Sequence, residues 1–135
     1  MKRIVFIGLF ILFSVPGLQA HAALSQYQWQ YRVLLVRADT QSQASELLTK
    51  IRQAEVQVKE RKLTLQILTR DGVLSYPDSA PSLSAQAIRR RLRDASVLLI
   101  GLDGRDKATY DALRIEAVFD DIDVMPMRGA ELNRQ

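Results

Sequence analysis

Arg89 and Arg93 stand four residues apart in the run Ile88-Arg89-Arg90-Arg91-Leu92-Arg93, a spacing that puts two side chains on one helix face. Two guanidinium forks so placed would converge on a phosphate, sulfate or carboxylate. The same cations near a helix C-terminus also suit a solvated face, because the helix dipole favours them there. Asp120, Asp121 and Asp123, close to Glu116, carry hard oxygen ligands, but on a helical pattern rather than the turning loop that calcium sites use. Asp103 and Asp106 are no better placed for a metal. In Met125-Pro126-Met127-Arg128, two thioethers flank a proline. Such residues either fill an irregular gap or form an adaptable edge for a partner, and Arg128 to Gln135 follow as a polar tail. Tyr27, Trp29 and Tyr31 alternate as residues on one strand face would, which suits sealing a sheet edge, with ligand stacking as the alternative.

The missing residues exclude more chemistry than the present ones suggest. The chain of 135 residues has no cysteine and one histidine, His21. Met1-Lys2-Arg3, the uncharged run from Ile4 to Phe13, the Pro16-Gly17 break and Ala20-His21-Ala22 together predict a secretory signal peptide over residues 1–22, cleaved near Ala22. The run is shorter than the roughly 20 residues that a spanning helix needs. Residues 23–135 are then expected as one exported domain, periplasmic or secreted, with no transmembrane segment. Losing Lys2 and Arg3 lowers the formal net charge from +4 to +2, which argues against a nucleic-acid partner. Without histidine or cysteine, the mature chain cannot run thiol peroxidase, disulfide-exchange, Ser-His or Cys-His chemistry. Nor can it bind zinc or haem through those side chains. No catalytic residue, metal site or cofactor is expected.

The elements that must position these residues follow from periodicity. Val33-Leu34-Leu35-Val36 is a continuous apolar run, the pattern of a strand covered on both faces. Ala44, Leu47, Leu48, Ile51, Ala54 and Val58 recur at helical spacing and predict one helix, with Thr40 and Gln43 as a capping box at its start. Leu63-Thr64-Leu65-Gln66-Ile67 alternates, as a half-covered strand would. Asp71-Gly72 and the loop through Tyr76 to Pro81 lead to a second helix that starts near Ser82 or Ser84, with Ile88 and Leu92 as its stripe. Val97-Leu98-Leu99-Ile100 predicts a second central strand. Asp103-Gly104 then predicts a two-residue hairpin turn, with Lys107 to Tyr110 pairing back. Ile115, Val118, Phe119 and Ile122 place a last helix. The order β-α-β-α-β-β-α predicts a mixed four-stranded sheet with helices on both faces. Strands one and three are central and strands two and four lie on the edges, the topology of a thioredoxin core.

Three stretches resemble the bacterial domain-of-unknown-function family DUF4174. Leu24, Tyr27, Trp29, Arg32 and Leu34-Leu35-Val36 match its opening pattern. Leu99-Ile100-Gly101-Leu102-Asp103-Gly104 matches its strand and turn, and Ile122-Asp123-Val124-Met125-Pro126-Met127-Arg128 with Glu131 its close. The family is similar to peroxiredoxin-like domains, so the resemblance implies a thioredoxin-like fold, export and no settled activity. In redox members of that wider superfamily the reactive cysteine sits just after the first strand. The corresponding residues here are Asp39, Thr40, Gln41, Ser42 and Gln43, a vestigial redox region without a thiol. The cis-proline of those enzymes corresponds to Ala95 or Ser96. Lys62, where an acid often follows Glu-Arg, and Thr109, where arginine is common, are two further departures.

The expected function is therefore a non-catalytic module that binds a protein or a cell-envelope component through Trp29, Met125, Met127 and Arg128. The alternatives are a peroxiredoxin-related oxidoreductase or stress protein acting without its own thiol, and an anion-binding domain using Arg89 and Arg93.

Overall fold

A computed structural model describes residues 23–135; the predicted signal peptide and its cleavage site lie outside the described residues. A 3₁₀ turn over Leu24–Gln26 leads to strand β1 (Arg32–Arg37) and helices α1 (Gln41–Gln53) and α2 (Glu55–Glu60). Strands β2 (Leu63–Thr69) and β3 (Gly72–Tyr76) precede helix α3 (Ala85–Leu92). Strands β4 (Val97–Ile100) and β5 (Asp106–Tyr110) then lead to helices α4 (Ile115–Asp123) and α5 (Pro126–Leu132).

The sheet has five strands in the order β3-β2-β1-β4-β5, rather than the four predicted. β1 runs parallel to β2 and antiparallel to β4, and β4 runs antiparallel to β5. β1 and β4 are interior, as their continuous apolar runs require. β2 is interior too, because β3 pairs along its outer side with Thr69 opposite Gly72. All seven β2 residues are consequently buried, whereas the alternation of Thr64 and Gln66 predicted a half-covered edge. Their polarity is matched inside. Gln66 Oε1 accepts from Leu83 N at 3.1 Å and Ser75 Oγ at 2.9 Å, while Thr64 Oγ1 donates to the Tyr76 carbonyl at 3.0 Å. Hydrogen bonding of this kind offsets the cost of burying polar groups.

The period-two alternation along each strand feeds two cores. Leu34, Val36, Leu65, Ile67, Val97 and Leu99 face α1, α2 and α4 through Ile51, Val58, Val118, Phe119 and Ile122. Val33, Leu35, Leu68, Leu98 and Ile100 face α3 through Ile88 and Leu92, with Tyr27 and Leu83 beside them.

Helix boundaries differ from the pattern at two places. The expected single helix is split at Ala54 (φ −102°, ψ 24°) into α1 and α2. The residues read as a polar tail from Arg128 onward instead include most of α5, with Pro126 at its start, where a missing N–H costs nothing. The β4–β5 connection runs over residues 101–105 rather than a two-residue turn. Gly104 takes φ +78° there, and Gly101 N donates to the Arg105 carbonyl. Among the described residues no helix is long and apolar enough to cross a membrane.

Candidate functional site

At the C-terminal end of β1, residues 39–43 are committed to local structure. Thr40 Oγ1 accepts from Gln43 N at 3.1 Å, and Gln43 Oε1 accepts from Asp39 N at 2.9 Å. These bonds satisfy donors that a helix start leaves open. Gln41 and Ser42 form the exposed first turn of α1.

Arg89 and Arg93 occupy different backbone settings. Arg89 is exposed on α3, whereas Arg93 lies just past its end at φ +54°, its carbonyl accepting from Arg37 Nη2 at 3.0 Å. Within the α3 run, Arg91 is held by two partners. Its Nε donates to Asp106 Oδ1 and its Nη2 to the Gly104 carbonyl, both at 2.7 Å, which ties α3 to the β4–β5 loop. From β5, Lys107 Nζ donates to Asp103 of that loop at 2.9 Å, holding its carboxyl below the usual carboxylate range, with help from the Arg105 N–H.

The aromatic lead-in is a turn rather than a strand, so Tyr27, Trp29 and Tyr31 do not share a face. Tyr27 is buried, and its ring meets Tyr31 edge-on at 6.1 Å. Burial, with Tyr31 adding to it, pushes the Tyr27 phenol up to about 12, so it stays protonated at neutral pH. Trp29 is 62% exposed at φ +68°. Its N–H donates to the Leu102 carbonyl at 2.7 Å, and Gln28 Nε2 donates to the Asp103 carbonyl at 3.1 Å. A left-handed conformation costs a non-glycine residue about 1–2 kcal/mol. Two bonds to the β4–β5 loop hold the backbone there, and the indole stands in solvent.

A second cluster lies at the same end of the sheet, where β1 begins. Arg32, the first β1 residue, is fully buried; its Nη1 donates to the Arg61 carbonyl at 2.8 Å and reaches both Glu131 oxygens at 3.3 Å. Arg128 is 3% exposed and donates to the Glu60 carbonyl at 2.9 Å, with Asp123 and Glu131 each at 3.4 Å. Arg61 grips Asp123 with two bonds of 3.0 and 2.8 Å while its guanidinium lies 4.4 Å from the Phe119 ring centroid. Arg61 foremost, then Arg128, holds the Asp123 carboxyl below its ordinary value. Arg128, expected on a partner-facing edge, is thus internal. Met125 packs against the α1–α2–α4 core and Met127 is half-buried.

Beside this cluster a groove of about 670 Å³ runs between α1–α2 and α4, floored by Leu47, Ile51 and Phe119 and rimmed by Lys50, Arg61, Arg114 and Glu116. The acids of α4 diverge: Asp120 faces the groove, Asp121 accepts from the Tyr110 hydroxyl, and Asp123 meets the arginines. Among the described residues no three carboxylates gather as a metal site.

A mixed α/β domain with the charged and aromatic residues of its two termini gathered at one end of the sheet is the class this geometry defines. A family model described as a domain of unknown function (DUF4174) matches residues 23–131, and the chain belongs to that family. Comparison with curated proteins and with solved structures returns no match. Residues of the opening and closing patterns, Arg32 with Asp123, Arg128 and Glu131, meet in the buried cluster. Trp29 meets Leu102 of the middle pattern. The sequence marks these stretches, but nothing in it shows that Arg32 and Arg128 are buried, because their partners lie up to 99 positions away.

Proposed function

We propose that this chain is an exported module of thioredoxin-like fold that binds a partner protein or envelope component and performs no thiol chemistry. The placement of β1 between a parallel β2 and an antiparallel β4, with β5 beyond, supports the fold; β3 is an addition to its edge. The Lys2–Arg3 start, apolar run and Ala20-His21-Ala22 site support export. Thr40 and Gln43 spend the region after β1 on capping a helix, which supports a surface role over a catalytic one.

The observation that carries the binding reading is Trp29. Its large apolar ring is kept in solvent by a positive φ and a backbone bond to Leu102. Strained residues held by their surroundings gather at functional sites, and tryptophan is enriched among residues that dominate interfaces.

The test is a photoreactive phenylalanine analogue in place of Trp29, used in the native cell, with the analogue at exposed Val56 of α2 as reference. One dominant adduct from position 29, absent from position 56 and suppressed by excess unlabelled chain but not by its Trp29→Ala form, is expected. No adduct, or the same adducts from both positions, overturns the proposal.

A further inference from the structure

The Arg32–Glu131–Arg128 contact is underfilled for a buried ion pair. Bonds between arginine and carboxylate are ordinarily about 2.7–2.9 Å, yet Glu131 lies 3.3 Å from Arg32 Nη1 and 3.4 Å from Arg128 Nη1. Arg32 Nε and Nη2 are buried and meet no acceptor among the described residues. Leaving such donors unmatched is costly. Three guanidinium groups, Arg32, Arg61 and Arg128, face two carboxylates, Asp123 and Glu131, so the cluster carries surplus positive charge.

The segment that delivers Glu131 is the least secured part of the cluster. Arg128 is the buried residue of α5 and is anchored by the Glu60 carbonyl and Asp123. Gly129 follows it, and nothing lies within 4 Å of where its side chain would be, so close packing does not explain a residue that weakens a helix by about 1 kcal/mol. Beyond it Leu132 is 46% exposed. Beyond Arg128 the last turn of α5 carries no buried residue.

We propose that Arg32 and Arg128 form an oxyanion site that Glu131 occupies from within, and that a phosphate-class ligand, free phosphate or a phosphomonoester, takes its place when the last turn of α5 lifts. Phosphate suits the pincer better than a carboxylate because its additional oxygens and greater charge answer Arg32 Nη2, which has no partner among the described residues, together with Nη1. Glu131 then acts as a tethered competitor that lowers the apparent affinity of the site. This site is independent of Trp29, and Trp29→Ala leaves it unchanged.

The experiment titrates the purified chain with inorganic phosphate and with phenyl phosphate, against chloride at matched ionic strength, reading binding by calorimetry. Glu131→Ala is expected to tighten phosphate binding by about tenfold, the equivalent of one competing charged hydrogen bond removed. Arg32→Lys added to Glu131→Ala keeps the charge but removes the fork, and is expected to erase that gain. Should the double variant fail to fold, the Arg32 Nε–H resonance of the Glu131→Ala chain supplies the readout and is expected to move on phosphate addition. Equal tightening with phenyl phosphate assigns a phosphomonoester, and tightening with inorganic phosphate alone assigns the free ion. Unchanged affinity in Glu131→Ala, a gain that survives Arg32→Lys, or an Arg32 Nε–H signal that phosphate leaves still overturns the proposal.

Discussion

The two ends of β1 are built from different chemistry. At its C-terminal end, Asp39, Thr40 and Gln43 are exposed and bonded to one another across four residues of chain. At its N-terminal end, Arg32 and Arg128 are buried, and the bonds there join β1 to α5 across 99 positions and α5 to the end of α2 across 68. The first end organises one helix start. The second closes the domain, because α5 is held to the body through charge more than through apolar contact. An end made of local bonds can be altered at small cost, whereas an end made of buried charges transmits any change to several elements.

The largest effect should therefore come from the buried end. Arg128→Ala leaves Asp123, Glu131 and the Glu60 carbonyl each short of a partner. Asp123 keeps Arg61 and Glu131 keeps Arg32, so the loss is that of emptying a buried, hydrogen-bonded position, and about 2–3 kcal/mol is expected in denaturant unfolding. The matched control is Arg37→Ala at the other end of the same strand, where an exposed side chain donates one bond to Arg93. Its cost is expected within about 0.5 kcal/mol. Equal losses at the two positions would break the comparison.

Trp29→Gly sharpens it from the opposite direction. Glycine adopts a positive φ without the side-chain penalty, and the indole it removes is 62% exposed. A gain of about 1 kcal/mol in stability is expected, together with loss of the position-29 partner. A destabilised variant would show that the ring packs on the domain and is not held out for a partner.

How much of this was readable depended on the range of the interaction. β1, β4, α3 and α4 follow from apolar patterns that need only neighbours in sequence, and the Thr40–Gln43 cap from a four-residue motif. β3 was missed because Asp71-Gly72 reads as the start of a loop, although Leu74, Ser75 and Tyr76 alternate and Gly72, at φ +143°, adjoins a two-residue turn. Gln66 was placed at an edge because alternation cannot distinguish solvent from a buried acceptor on the same face. Pro126 signals a helix start, yet Met127 to Gln135 is too short and polar to show helical periodicity. The arginine cluster was least readable of all. A charged residue reads as exposed unless its partner is known, and Arg32 finds Glu131 only after the whole chain has folded between them.

Thr40→Ala tests the weaker end directly. Loss of a hydroxyl N-cap costs about 1 kcal/mol, and since the hydroxyl does not titrate, that loss is expected to be the same in acid as at neutral pH. Asp123→Asn should behave differently, although its effect is the smallest. Arg61 and Arg128 lower the Asp123 carboxyl in the folded state, so its stabilisation is complete above the unfolded value, near pH 4. It fades as pH falls through the lowered folded value. The carboxylate side chain is 38% exposed, and solvent screening keeps the effect at neutral pH to about 1 kcal/mol or less. The expected signature is an Asp123→Asn penalty present at neutral pH and diminishing below about pH 4, beside a Thr40→Ala penalty that does not change. Parallel pH profiles for the two variants would mean that solvent already screens the Asp123 pairing, leaving the buried guanidinium groups and their carbonyl partners to hold that end closed.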